Sequence, residues 1–426
     1  AEQKVLASVA RISAFPQATL KNDQSLVGAL GFDSLMLVEL DADMGKAFPQ
    51  LGGLPRELFS KDTTIQSIIE HIVKTLDEGA TPVAQAATAS MPVERYAPVA
   101  ERTDLKSLSE NTLHCEHPIL VTADAGGLAE QLVSALKAEG LTAVIGDAGS
   151  AGPFSGVINL SLMKANASPA ALTREALALA QKLTPETAEL FVTVSTLGGT
   201  FGLTGTTREQ LSQVGALGFT KALAQEWPDA QVKAIDVDMG IGAPALANRI
   251  VAELISGDRT AEVGLSKAGR MTVAMKPAAT VSGATALTKD SVILVTGGAK
   301  GLGLKFSKAL AKKYGATLVL TGRSAPTEDT AKICAEVKAA GAKDCAYFSM
   351  NVRDAAHVKA TVEKVRAQFK QVNAVVHSAG LLADALVAKK EAAQVDAVIE
   401  TKVNGALALL EATASDPLSL FVVIGS

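Results

Sequence analysis

Three cysteines in 426 residues are too few and too scattered for a disulfide framework or a zinc site. Cys115, Cys334 and Cys345 lack the paired spacings and partner ligands that either would need, so they read as reduced core thiols and no metal centre is expected. No apolar run reaches membrane-spanning length, and the opening AEQKVLASVARIS is a polar-faced helix rather than a signal peptide. No membrane span is expected, and the cytoplasm follows as the compartment. The net charge is only -4, with basic residues scattered among acidic ones, which leaves no electrostatic footprint for nucleic acid.

Hydrophobic substance is plentiful. At 48% apolar residues the chain can fill several cores, roughly two to four domains. Starting at Ala1 and stopping at Ser426 inside what reads as a buried strand, it has the look of an excised piece of something longer.

Residues 1–76 carry apolar residues at helical spacing in Val5-Leu6-Val9-Ile12, Leu35-Leu37-Val38-Leu40 and Ile65-Ile68-Ile69-Ile72-Val73, which predicts a small bundle of three main helices and a short one. Residues 77–112 turn to Ala, Pro, Thr and charge without periodicity, as a flexible linker does. Beyond them strands and helices alternate. HPILVTA, LTAVIG, GVINLS, LFVTVS and VKAIDVD are strand candidates with helices near 127–139, 169–183 and 208–226 between them. After a loose stretch at 276–289 the pattern restarts over 290–426 with VILVT, ATLVLTG, AYFSM, AVVHSAG and LFVVIGS. Such alternation predicts two successive doubly wound α/β units of Rossmann type, 113–275 and 290–426, the second cut short. LFVTVSTLGG in one resembles LFVVIGS in the other, so the pair reads as a duplication.

The two copies differ in the turn after their first strand. In the second unit VILVTGGAKGLG sets Gly297, Gly298, Gly301, Leu302 and Gly303 between a buried strand and a helix, where missing side chains admit a pyrophosphate to the helix N-terminus. The next strand ends at Arg323-Ser324, where an arginine can pair with a 2′-phosphate, so NADPH is preferred over NADH. Asn351 and Val352 border the adenine in this reading, and the small Ser378, Ala379 and Gly380 let the cofactor lie across the strand ends. His377 reads as a core histidine, not a proton donor. The first unit has VTADAGGLAEQL instead, with Ala123 and Ala129 at glycine positions and Asp147 after its second strand, so it is expected to hold no dinucleotide well.

TGGAKGLG, TGRS, HSAG and ETKVNGALALLEATASDPLSLFVVIGS together resemble the ketoreductase of polyketide and polyunsaturated fatty acid synthases, a relative of the short-chain dehydrogenase/reductases. The resemblance spans about 115–426. It implies that the first unit is the family's structural subdomain, which binds no cofactor. It also implies that Lys402 and Ser426, 24 residues apart, match the catalytic lysine and serine. The family's active-site tyrosine and following asparagine are expected beyond Ser426. Leu382 and Asp384 match two positions of a Leu-Asp-Asp triplet tied to a 3R hydroxyl product, with Ala383 in place of the first aspartate.

LGFDSLMLVEL resembles the acyl carrier signature, which implies that Ser34 receives a 4′-phosphopantetheine arm at a helix N-terminus. Glu39, Asp41 and Asp43 give that helix an acidic side for basic partners, or a plain solvated face. A carrier directly before a ketoreductase is the order of iterative synthases in the resembled family. The implied partners are a phosphopantetheinyl transferase, the acyl thioester substrate, and ketosynthase, acyltransferase and dehydratase domains. Two other readings stay open: a carrier and scaffold segment with an inactive reductase, and a stand-alone NADP-dependent dehydrogenase with an unrelated helical domain.

Overall fold

The computed structural model describes residues 1–13, 15–30, 32, 34–48, 51, 53–55, 58, 63–77, 94–106, 113–164, 167–207, 209–279 and 286–425, with 34, 35, 38 and 42 described by backbone alone. Ser426 therefore lies outside the described residues, as do 78–93 of the expected linker and much of the expected short helix. The chain divides into two compact units, Ala1–Glu94 and Arg95–Ser426.

The helical unit holds α1 (Glu2–Ser13), α2 (Ser34–Ala47) and α3 (Ile65–Asp77). Val5, Val9, Leu26, Leu40, Met44 and Ile68 meet in its core, where the helical spacing of the sequence places them. The long connection from α1 to α2 is fastened to the start of α3 by Leu26 N donating to Thr63 O at 2.8 Å and Ile65 N to Gln24 O at 3.1 Å.

The larger unit opens with β1 (Tyr96–Arg102), β2 (Ile119–Thr122), α4 (Leu128–Ala138), β3 (Ala143–Gly146), β4 (Gly156–Asn159) and α5 (Pro169–Ala180). β5 (Leu190–Ser195), α6 (Val214–Glu226), β6 (Gln231–Val237), α7 (Ala243–Ile255), β7 (Glu262–Ser266) and β8 (Gly269–Pro277) complete an eight-stranded sheet of order β1-β8-β7-β6-β5-β4-β2-β3. It is parallel from β3 to β7, and β8 and β1 are antiparallel additions. The second sheet follows with β9 (Val292–Thr296), α8 (Gly301–Tyr314), β10 (Thr317–Gly322), α9 (Glu328–Ala339), β11 (Asp344–Ser349), α10 (Ala355–Phe369) and β12 (Ala374–His377). α11 (Ala392–Ile399), a π-helical turn at Glu400–Asn404, α12 (Gly405–Ala412) and β13 (Leu420–Val423) end it. Its five strands are all parallel, in the order β11-β10-β9-β12-β13, which reverses direction between β9 and β12.

Several expectations need correction. The stretch expected as linker contains β1, which pairs residue for residue with β8 from Tyr96↔Pro277 to Arg102↔Met271. The first α/β unit thus begins before residue 113, and β8 runs past 275 into the expected second linker. β1 escapes a periodicity reading because YAPVAER is an edge strand, half-buried and without apolar alternation. The segment 239–275, left unassigned by pattern, supplies α7, β7 and β8. The last strand, β13, is half-buried rather than buried, since it stands at a sheet edge and Val423 is exposed. Cys334 and Cys345 are buried as core thiols, whereas Cys115 is half-buried, with burial pushing its thiol up to about 11.

Candidate active site

β9, β10, β12 and β13 are parallel, so their C-terminal ends lie along one side of the sheet, across the switch in strand order between β9 and β12 where such sheets form a ligand crevice. β9 ends at Thr296, and Gly297 follows at φ +64°. A Cβ on Gly297 would sit 3.1 Å from Ala379 Cα, so only a bare backbone lets the β9 and β12 turns meet. A Cβ on Gly303 would lie 2.2 Å from the Gly297 carbonyl oxygen, which fixes how tightly α8 packs under the loop. Leu302, in the first turn of α8, is 41% exposed.

Thr296, which opens TGGAKGLG but has no role in the sequence reading, organises the strand ends. Its Oγ1 accepts from Ala379 N at 3.0 Å and lies 2.8 Å from His377 Nδ1, while His377 Nε2 lies 3.1 Å from the Thr401 carbonyl. With the threonine lone pair engaged by Ala379, its hydroxyl hydrogen points to Nδ1, and Nε2–H donates to Thr401. His377 is then a neutral, saturated imidazole with 0% exposure, and burial lowers its pKa. The core reading of this histidine is the one the geometry carries.

Lys402 stands on the π-helical turn between α11 and α12, and π turns of this kind often mark functional positions. Its Nζ donates to Ile424 O at 2.7 Å, and its Cε would lie 3.2 Å from a Cβ on Gly380. Gly380 thus gives the lysine its passage between β12 and the residues after β13. Burial lowers the lysine pKa. Gly405, one turn on, would place a Cβ 3.2 Å from both His377 Cε1 and Val352 Cβ, so a bare backbone brings α12 against the strand ends.

On the other side of β9, Ser349 Oγ donates to Arg323 O at 3.1 Å and the Tyr347 hydroxyl to Ser324 O at 3.0 Å, which shape the turn after β10. The Arg323 and Ser324 residues themselves are exposed. Asn351 Oδ1 accepts from Arg353 N at 3.3 Å. Val352 is only 5% exposed and packs in the core, so its side chain is not open to a ligand. Ser378 and Ala379 are half-buried at the end of β12, and Leu382 and Asp384 are exposed on the loop beyond.

The first α/β unit presents the same turn in a self-filled form. Aligned without gaps, TADAGGLA (122–129) stands opposite TGGAKGLG (296–303), so Asp124 falls where Gly298 is. Asp124 Oδ2 accepts from Gly126 N at 2.7 Å and Leu128 N at 3.2 Å, and Oδ1 from Ala129 N at 2.8 Å. A carboxylate of the chain occupies the amide cluster at the start of α4 that an external phosphate would need. Thr122 keeps the role of Thr296, accepting from Leu160 N at 2.7 Å.

In the helical unit Ser34 is the first residue of α2. The acidic side of that helix is partly engaged: Arg11 of α1 pairs with Glu39 at 2.8 Å and with Asp43, and Asp41 Oδ1 accepts from Leu54 N at 2.6 Å.

Residues 291–426 match the family described as KR domain, and residues 3–72 the family described as phosphopantetheine attachment site. Polyketide synthase PksM of Bacillus subtilis (strain 168) is 34% identical over 140 residues, 33% of this chain and 3% of that protein. Polyketide synthase ThaG of Burkholderia thailandensis is 34% identical over 175 residues, 40% of this chain and 3% of that protein. The chain is homologous to polyketide synthase modules. It comprises a carrier domain and a ketoreductase segment, and it spans only a small part of the length of these relatives. Solved ketoreductases share the fold of the larger unit. An N-terminal ketoreductase from the macrolactin assembly line has a TM-score of 0.60 at 21% identity, covering 84% of this chain and 81% of that one. A-type ketoreductases from a modular polyketide synthase give 0.63 at 23%, covering 78% and 75%. The carrier domain is the kind that bears 4′-phosphopantetheine, and the KR domain is the kind that uses NADPH in these synthases. No described helix is long and apolar enough to cross a membrane.

Proposed function

We propose that the chain carries a β-ketoacyl group on a phosphopantetheine arm at Ser34 and reduces it to the β-hydroxyacyl thioester with NADPH. The observation that supports this most directly is the meeting of Lys402, Gly380 and the Ile424 carbonyl at the strand ends beside the glycine turn.

The turn fits a dinucleotide: Gly297, Gly298 and Gly303 let it close so tightly that any Cβ would strike the chain's own backbone, and the start of α8 carries no side-chain cap, which suits its amides to a pyrophosphate. Gly301, Leu302, Asn351, Val352, Ser378 and Ala379 complete the cradle in this reading, and Arg323 and Ser324 hold the 2′-phosphate. NADPH, when bound, supplies the hydride for the β-carbon. Ser426 hydrogen-bonds the ketone oxygen as negative charge develops there. Lys402, an ammonium with its pKa already lowered by burial, adds positive potential beside that oxygen and eases proton delivery to it. The family's tyrosine supplies that proton, and the stretch from Lys402 to Ser426 contains no tyrosine. Leu382 and Asp384 border the acyl entrance and favour the 3R alcohol. The first α/β unit serves as scaffold, its own anion site being filled by Asp124.

The partners in this reading are ketosynthase, acyltransferase and dehydratase domains and a phosphopantetheinyl transferase, in the cytoplasm. The test is to load a synthase polypeptide containing this chain with coenzyme A and a broad transferase, then supply a β-ketoacyl pantetheine thioester and NADPH. Mass spectrometry is expected to place the arm on Ser34 and to find the hydroxyacyl product. Modification persisting in Ser34→Ala, or no NADPH-dependent reduction, would overturn the corresponding half of the proposal.

A further inference from the structure

The loop between β12 and α11 leaves the crevice at Gly380 and has no regular structure until a short 3-10 turn at Val387–Lys389. Leu382 is 68% exposed, so packing does not fix the stretch that carries it and Asp384. Its far end is fixed instead by the first α/β unit. Val387 N donates to both carboxylate oxygens of Glu226, at 2.8 and 3.1 Å. Gln181 Nε2 donates to Val387 O at 2.8 Å and to Lys390 O at 2.9 Å. The Val387 side chain is buried in the core formed by α5, α6 and the strands beneath them. Lys390, so held, turns its Nζ back to Ala383 O at 2.8 Å, one residue before Asp384. An unbroken chain of hydrogen bonds runs from Gln181 through Lys390 to the middle of the loop.

Local rules do not explain Glu226. It is the last residue of α6, where the helix dipole disfavours a carboxylate. Its partner there is the Val387 amide, 161 residues away in sequence.

We propose that Glu226 and Gln181 are positioning residues of the reductase: from the subdomain that holds no cofactor, they set the course of the Leu382–Asp384 stretch and thereby the face of the ketone presented for reduction. This rests on the reductase reading above. Neither residue touches substrate. They act through the Val387 and Lys390 backbone.

The test uses a synthase polypeptide containing this chain, with Glu226→Ala, Glu226→Gln and Gln181→Ala. Amide exchange over 381–390 is read first. Losing a hydrogen bond to a charged group is expected to raise local opening at Val387 on the order of 10- to 100-fold in Glu226→Ala. Glu226→Gln, which keeps one acceptor, is expected to fall between it and the parent. Unchanged protection in β5 and β9 reports that each variant is folded, and Gln181→Ala offers an independent route if Glu226→Ala is not. The second readout is the enantiomer ratio of the hydroxyacyl product with KM for each substrate. A lower ratio and a higher KM for the acyl thioester, with KM for NADPH unchanged, are expected. Unchanged exchange at Val387 overturns the clamp. Faster exchange with an unaltered enantiomer ratio overturns the positioning role and leaves a merely structural tie. A parent protein that reduces nothing overturns the reductase reading and the positioning role with it, while exchange at Val387 still decides the clamp.

Discussion

The Lys402 ammonium and the Ile424 carbonyl are joined by a 2.7 Å hydrogen bond that ties the π-helical turn to the residues just after β13. This contact spends one of the three ammonium hydrogens on the backbone and leaves two for the crevice. Lys402→Met is expected to slow reduction on the order of 100-fold or more in a synthase containing the chain, with NADPH affinity little changed. Lys402→Arg should not rescue it, because a planar guanidinium cannot replace a point charge threaded past Gly380. Steady-state rates beside equilibrium NADPH titration decide this. A Met variant with parental turnover would remove Lys402 from the machinery.

Arg323 follows β10 and is exposed, open to a phosphate. Arg323→Ala should weaken NADPH about tenfold or more and leave NADH nearly untouched, since one charge-assisted contact is lost only with the phosphorylated cofactor. Calorimetric titration of both cofactors is the measurement, and parallel weakening would mean that the arginine faces solvent.

Gly303→Ala places a methyl group 2.2 Å from the Gly297 carbonyl oxygen, where backbone has to shift. A stability loss of about 1–3 kcal/mol and loss of NADPH binding are expected. Gly301→Ala meets open space and is strained only by its φ of +53°, so it should destabilise the fold through backbone strain with no clash. Urea unfolding and NADPH titration of the two variants separate clash from strain.

Asp124→Ala should destabilise the larger unit by about 1–2 kcal/mol, because three amides at the start of α4 lose their acceptor. NADPH affinity should stay at the parental value. A change in that affinity would show that the first unit does take part in cofactor binding.

His377 is buried as the neutral imidazole, so its pKa in the folded chain lies below the ordinary 6.5. As pH falls below 6.5 the unfolded chain takes up this proton first, and stability declines until the folded pKa is passed. Above 6.5 the group contributes no slope. Unfolding free energies between pH 5 and 7, roughly the range in which an ordinary histidine titrates, should therefore rise with pH more steeply in the parent than in His377→Gln. Equal slopes would mean that the imidazole titrates normally in the fold.

Much of this architecture can be read from the chain alone. VILVT, ATLVLTG and AVVHSAG are continuous apolar runs because parallel strands covered on both faces need them, and the glycine turn after VILVT is visible because clashes forbid side chains there. β1 is invisible for the opposite reason: its pairing partner β8 lies more than 160 residues away, and an edge strand needs no apolar alternation. The Glu226–Val387 tie has no sequence signature either, since a glutamate ending a helix resembles any solvated residue until the fold brings a distant amide to it. In VTADAGGLAEQL the departures from glycine read in the sequence are Ala123 and Ala129, and only the fold reveals that the Asp124 oxygens answer the amides a phosphate would have met.

That carboxylate has a consequence for how the two halves depend on the cell. Asp124 is an anion attached to the chain, so its supply at the α4 amides never varies with any nucleotide pool. Among the described residues no side chain caps the start of α8, so an anion at its amides would come from solution. A ligand held by that half alone stabilises it by RT ln(1 + [L]/Kd), about 2.7 kcal/mol at a hundredfold excess over Kd. One half of the duplication has thus built its own anion into the chain, while the durability of the other would rise and fall with the supply of whatever ligand it takes.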